Sequence, residues 1–176
     1  MVKTDAGLGI LVCDTGPLLH LHEMGCLDLL DDADLLMLPT AVRDEIVFLG
    51  FSEILRRLER ANLQIAESKA SINNRCEALS EIFALHQGER ECLSLCANLP
   101  NPMFLTDDFA ARLTAIALGL RVHGTIGLIV RAVRVGRRTA EQAVTILRDI
   151  PDKSSLFIKR SLLNEIIQQI QMHSRE

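Results

Sequence analysis

Apolar residues fall along the chain in two rhythms. Short apolar runs occur at Leu8–Cys13 (LGILVC), Asp34–Leu38 (DLLML), Met103–Leu105 and Leu120–His123. Runs of this length predict strands buried on both faces. Between them, apolar residues recur at helical spacing and predict helices over 18–30, 40–49, 52–61, 72–86, 89–98, 108–118, 125–136, 139–149 and 156–172. Residues 63–66 are a candidate extended link. Turn residues punctuate the pattern: Asp14-Thr15-Gly16-Pro17 follows the first run, Pro39 stops the second, and Gly88, Gly119 and Gly136 separate later segments. Thr40 is the predicted N-cap of the helix after Pro39. Pro151–Ser155 reads as a linker, and the last helix gathers Leu163, Ile166, Ile167 and Ile170 on one face. Strands alternating with helices imply an α/β fold, a sandwich whose central parallel sheet is covered on both faces. Residues 1–136 form the sheet domain in this reading. Residues 137–176 form a helical C-terminal extension, packed on the same domain or on a second subunit.

Composition narrows the class. With 176 residues, 48% of them hydrophobic and 24% charged, the chain reads as one soluble globular unit. No apolar run approaches the ~20 residues that span a bilayer. Lys3, Asp5 and Asp14 interrupt what a secretory leader needs, so no membrane partner is expected. Five cysteines at irregular spacing imply reduced thiols and a cytoplasmic location.

Charge is unevenly spread. Residues 1–130 hold 18 acids against 10 Lys and Arg, whereas residues 131–176 hold 9 Lys and Arg against 5 acids. That excludes a uniformly basic nucleic-acid binder. Without Trp or Tyr, an aromatic platform for bases is hard to build, so any RNA is expected to be held by metal and phosphate contacts.

Several acids stand where chemistry is expected. In an open parallel sheet, ligands bind beyond the carboxyl ends of the strands. Asp14 follows the first strand, and Asp107-Asp108 follow the third. Helix capping explains Asp14 and Asp108 equally well when each is taken alone. On the 40–49 helix, Glu45 borders the stripe of Val42, Ile46 and Leu49. On the 89–98 helix, Glu89 shares the face of Leu93 and Cys96, while Glu91 is rotated toward solvent. Converging carboxylates must be protonated or neutralised by a cation. Hard oxygen donors suit Mg²⁺ or Mn²⁺, which can support phosphodiester cleavage.

In order and spacing, these acids resemble those of the PIN-domain ribonucleases. The similarity runs through VCDTGPLLHLHEMGCLDLL (12–30), LPTAVRDEI (38–46), GERECLSLC (88–96) and LTDDFAARLTAIALGLRVHGTIGLIVRA (105–132). It resembles most the small prokaryotic PIN proteins described as nucleic-acid binding, with VapC-like toxins as broader relatives. The resemblance implies a three-layer α/β/α fold and a divalent-metal-dependent endoribonuclease acting on single-stranded RNA. It places Asp14, Glu89 and Asp108 as metal ligands, Asp107 as an additional ligand, and Glu45 as the residue that positions the metal or the attacking water. Glu89 departs from the family's usual Asp. Thr15 and Thr106 sit where the family has hydroxyls that orient a ligand or water, and Arg112 holds a substrate phosphate or pairs with a carboxylate. The resemblance also implies the toxin of a type II toxin–antitoxin pair, a homodimer held in check by a small antitoxin. The alternative is a catalytically weak PIN fold that binds nucleic acid or protein.

Other signals are read as structural. Cys92, Cys96 and His86 lack a fourth zinc ligand, so core thiols are expected. The histidines show no acid partner in the sequence. Arg131, Arg134, Arg137 and Arg138 suit the C-terminal end of a helix dipole as readily as a phosphate track.

Overall fold

Strand β1 (Gly9–Cys13) lies at the centre of a five-stranded, all-parallel sheet. On one side it pairs with β2 (Ala33–Pro39), which pairs with β3 (Leu63–Ala66). On the other it pairs with β4 (Met103–Leu105), which pairs with β5 (Arg121–His123). The register sets Leu11 against both Leu36 and Met103, and Cys13 against Leu105. The computed structural model describes residues 7–59, 62–67 and 74–173. Lys3, Asp5 and helix positions 60–61 and 72–73 lie outside the described residues.

Nine α-helices follow among the described residues: α1 (Thr15–Glu23), α2 (Thr40–Phe48), α3 (Ser52–Leu58), α4 (Asn74–Ile82), α5 (Gln87–Ala97), α6 (Phe109–Ala117), α7 (Thr125–Arg134), α8 (Ala140–Lys153) and α9 (Arg160–His173). They surround the sheet, as the alternating pattern predicts. Leu11, Val12, Leu36, Leu38, Phe104 and Leu105 are wholly buried, consistent with a sheet covered on both faces. The apolar faces of α8 (Val144, Leu147, Ile150) and α9 (Leu163, Ile167, Ile170) join the same buried cluster. All five cysteines are buried and unpaired. Among the described residues no helix is long and apolar enough to cross a membrane.

Five local expectations are corrected. The helix expected over 18–30 is broken at Gly25, whose φ of +64° suits glycine, and resumes as a 3₁₀ helix at Leu27–Asp32. Thr40 is not the cap of α2; Pro39 holds that place and has no side-chain donor or acceptor. The missing cap comes from another helix, because Glu91 accepts the Ala41 N–H at 3.1 Å. Glu91 is therefore half-buried rather than solvated. Helix α8 continues through Pro151 to Lys153, with the Ser154 N–H still bonded to the Ile150 carbonyl at 3.0 Å. Proline's φ is compatible with a helix, and here the proline falls in the last turn. Finally, α9 starts at Arg160, and residues 154–159 form a non-helical strap. Glu23 tethers that strap by accepting Ser154 Oγ at 2.8 Å, the Ser155 N–H at 2.7 Å and Ser155 Oγ at 2.9 Å.

Most of the basic cluster is structural. Arg131 pairs with Asp32 at 2.9 Å, Arg137 reaches the same carboxylate, and Arg138 spans both oxygens of Asp28 at 2.7 Å. These pairs bind the end of α7 to the 3₁₀ helix. Burial raises the Asp32 pKa, but the two arginines outweigh it and hold the carboxyl below its usual value.

Candidate active site

The chain runs β1–β2–β3 toward one edge and returns through β4 and β5 on the other side of β1. A topological switch point therefore falls between β1 and β4, where a crevice opens beyond the strand ends. A cleft of about 490 Å³ lies there. Asp14, Thr15, Glu45, Glu89, Asp107 and Asp108 all line it. Six of the eight side chains singled out from the sequence thus share one wall system.

Hydrogen bonds set each acid. Asp14 sits at the N-cap of α1, where Oδ1 accepts the Thr15 N–H at 2.8 Å and Oδ2 accepts the Thr106 hydroxyl at 3.2 Å. Thr106 Oγ1 in turn accepts the Asp108 N–H at 3.2 Å, so one wholly buried hydroxyl ties the ends of β1 and β4 together. Asp108 caps α6 through Oδ1, which accepts the Ala111 N–H at 2.8 Å. Glu45 is exposed on α2 and accepts the Thr15 hydroxyl at 2.6 Å. Glu89 is buried and folds back to accept the His86 N–H at 2.8 Å. Gly88 leaves the floor open: a Cβ there would lie 3.8 Å from both Asp14 Oδ1 and Glu45 Oε2.

The carboxylates repel one another. Burial pushes the Asp14 pKa up to about 6; the Thr15 N–H opposes the rise, while the charges of Glu89 and Glu45 add to it. Glu89 is likewise raised, by burial first and by Asp108 and Glu45 in addition. Among the described residues no Lys or Arg stands on the cleft wall to relieve this.

The surroundings of the other four candidates are as follows. Asp107 lines the cleft, but its oxygens are already taken by His20 Nδ1 at 2.8 Å, the Thr125 N–H at 2.8 Å and the Thr125 hydroxyl. Burial raises its pKa, yet these bonds outweigh burial and hold it low. These bonds tie it to α1 and to the start of α7. The hydroxyls of Thr15 and Thr106 donate to Glu45 and Asp14. Arg112 is half-buried on α6, beside Gly124, and is not on the cleft wall. A Cβ on Gly124 would lie 3.4 Å from its guanidinium.

Sequence reasoning missed His20, His86 and the strap residues Ser155–Phe157, all on the cleft wall. The pairing of His20 with Asp107 joins residues 87 positions apart, and no local pattern signals it. Cys92 and Cys96 are core thiols, as expected, with burial the leading cause of their raised pKa values.

Among the described residues no three His, Cys, Asp or Glu side chains stand close enough to hold an ion as placed. Each acid is turned toward a protein donor instead. The donor set itself nonetheless fits a hard divalent cation: it is all oxygen and mutually repulsive, with no Lys or Arg among the described residues of the wall.

No curated protein matches the chain. The family model DUF3368, a PIN domain, matches residues 10–172. That span takes in all five strands but for Gly9, the five acids of the cleft, and both C-terminal helices but for His173. With the acids at the switch point of a five-stranded parallel sheet, the chain belongs to the PIN-domain family, a nuclease fold.

Proposed function

We propose that the protein is a divalent-metal-dependent endoribonuclease that cleaves single-stranded RNA. The observation that carries this reading is the gathering of Asp14, Glu45, Glu89 and Asp108 around one cleft, with Asp14 raised to about 6 and no Lys or Arg among the described residues of the wall. A bound cation would relieve that repulsion and turn an acidic cleft into one that accepts a polyanion.

In this reading Asp14, Glu89 and Asp108 would hold Mg²⁺ or Mn²⁺, which would supply charge for the phosphate oxygens and help deprotonate the attacking water. Glu45 stands at the mouth, fixed by the Thr15 hydroxyl, and orients the attacking water. Thr106 keeps Asp14 and Asp108 in register by bonding to both. Asp107, held by His20 and Thr125, acts as a positioning residue for the β4–α6 and β5–α7 turns. For Glu89 to serve, its carboxylate must swing from the His86 N–H toward the ion.

On the family resemblance, the protein is further proposed to be the cytoplasmic toxin of a type II toxin–antitoxin pair, a homodimer silenced by a small antitoxin over the acidic cleft. A second reading is a catalytically weak PIN fold that binds RNA or protein. The observation favouring it is Glu89, folded back onto its own helix start in place of the family's usual Asp. RNA cleavage with Mn²⁺ or Mg²⁺, against EDTA and Asp14→Asn, separates the two. Metal-dependent cleavage lost in Asp14→Asn supports the enzyme. No cleavage under either metal, with RNA or protein binding intact, supports the module.

A further inference from the structure

The strap between α8 and α9 brings an aromatic ring to the cleft. Ser155, Leu156 and Phe157 line it, and Phe157 is 88% exposed. This segment is anchored on both sides of that ring. Glu23 accepts three hydrogen bonds from Ser154 and Ser155, while Leu156 and Ile158 pack against the core. With its two neighbours packed against the core, Phe157 is presented outward at a fixed place. Leaving a phenylalanine in water forgoes the gain of burying it, and here no described protein group covers the ring.

The residues that lead from the strap into α9 point to the occupant. Lys159 and Arg160 are both exposed and make no ion pair among the described residues. A ring on the wall of a carboxylate cleft, with two cations two and three residues further along the chain, provides two elements of single-strand recognition: a face for a base and charge for the backbone. A neutral ring also meets no repulsion from the acids beside it.

Building on the nuclease reading, we propose that Phe157 stacks on a nucleobase of the single-stranded RNA whose phosphate occupies the acidic cleft, with Lys159 and Arg160 contacting the backbone next to it. Composition alone points the other way, since the chain lacks Trp and Tyr. Phe48 and Phe109 are exposed as well, but among the described residues Phe157 is the phenylalanine on the cleft wall.

The absence of tryptophan supplies the test. Phe157→Trp makes a single-tryptophan protein whose emission reports on the ring directly. In Mg²⁺, before appreciable cleavage, a short mixed-sequence single-stranded oligoribonucleotide should quench that emission, and an abasic strand of the same length should not. Phe157→Ala and Phe157→Leu should each weaken binding roughly 5- to 150-fold, the range expected when a stacked aromatic is removed. Ile82→Ala, which removes another exposed apolar side chain, should leave binding unchanged. Equal response to the abasic strand, or unchanged binding in Phe157→Ala, would overturn the proposal. So would emission that shifts with protein concentration alone, because a second copy would then cover the ring. Cleavage of the same oligonucleotide, followed in parallel, keeps the two readings apart. Quenching without cleavage counts against the nuclease and leaves stacking standing; cleavage without base-dependent quenching does the reverse.

Discussion

The Thr15 hydroxyl donates to Glu45 at 2.6 Å across thirty positions of sequence. This bond ties the first residue of α1 to the middle of α2 and aims the carboxylate over the cleft. Thr15→Val keeps the shape and removes the donor. Stability should fall by about 1 kcal/mol, lowering Tm by roughly 2–4 °C. Cleavage should fall further than that loss of folding explains, because Glu45 is no longer oriented. Thr15→Ser should restore both, and rates measured well below Tm check the split.

Asp14 makes the metal-free protein sensitive to pH. Its folded pKa of about 6 lies above the ordinary value of 3.8, so the folded state binds the proton more tightly. That contribution to stability is complete below the ordinary value and is lost as pH rises through about 6. Metal-free protein should therefore weaken across this window, by on the order of 2–3 kcal/mol from this group. Asp14→Asn should flatten the dependence and be the more stable protein at neutral pH. Urea unfolding at a series of pH values in EDTA measures it.

The Asp107 cap leaves no room for a side chain at Gly124. A Cβ there would lie 2.7 Å from Asp107 Oδ1, inside any real contact distance. Gly124→Ala should displace the carboxylate from the Thr125 N–H and destabilise by about 1–2 kcal/mol, the usual cost of a lost cap. His20→Ala, which removes the other partner of Asp107, should destabilise less in the Gly124→Ala background than alone. A double-mutant cycle by thermal unfolding checks that coupling.

Removing residues 154–176 deletes the strap and α9 together. Leu163, Ile167 and Ile170 then leave the core cluster, and Glu23 loses its serine donors. A lower Tm or a changed oligomeric state in solution is the expected outcome. An unchanged Tm with an unchanged oligomeric state would contradict the packing described.

Much of the fold is legible in the sequence because its signals are local. Apolar runs mark β1, β2, β4 and β5, and the acids at their ends follow from the rule that parallel sheets bind ligands there. Even β3 is foreshadowed by residues 63–66. The hidden features depend on partners far apart in sequence. Pro39 cannot cap its helix, and only the fold reveals that Glu91 does so across fifty positions. Asp107 reads in sequence as an additional ligand beside Asp108, and only the fold shows His20 and Thr125 engaging its oxygens. Arg131, Arg137 and Arg138 suit a helix dipole or a phosphate track in sequence, and only the fold brings Asp28 and Asp32 of the 3₁₀ helix to meet them. The strap escapes notice because Phe157 falls inside the helix predicted over 156–172, where its exposure has no meaning.

Direct titration of Mn²⁺ into the protein, followed by electron paramagnetic resonance, tests the central claim that the cleft carboxylates form a cation site. Binding to the unaltered protein at neutral pH should weaken as pH falls through about 6, when Asp14 takes up its proton, and should be lost in Asp14→Asn. Mn²⁺ that binds Asp14→Asn as tightly as the unaltered protein, or an affinity indifferent to pH across that window, would contradict the account.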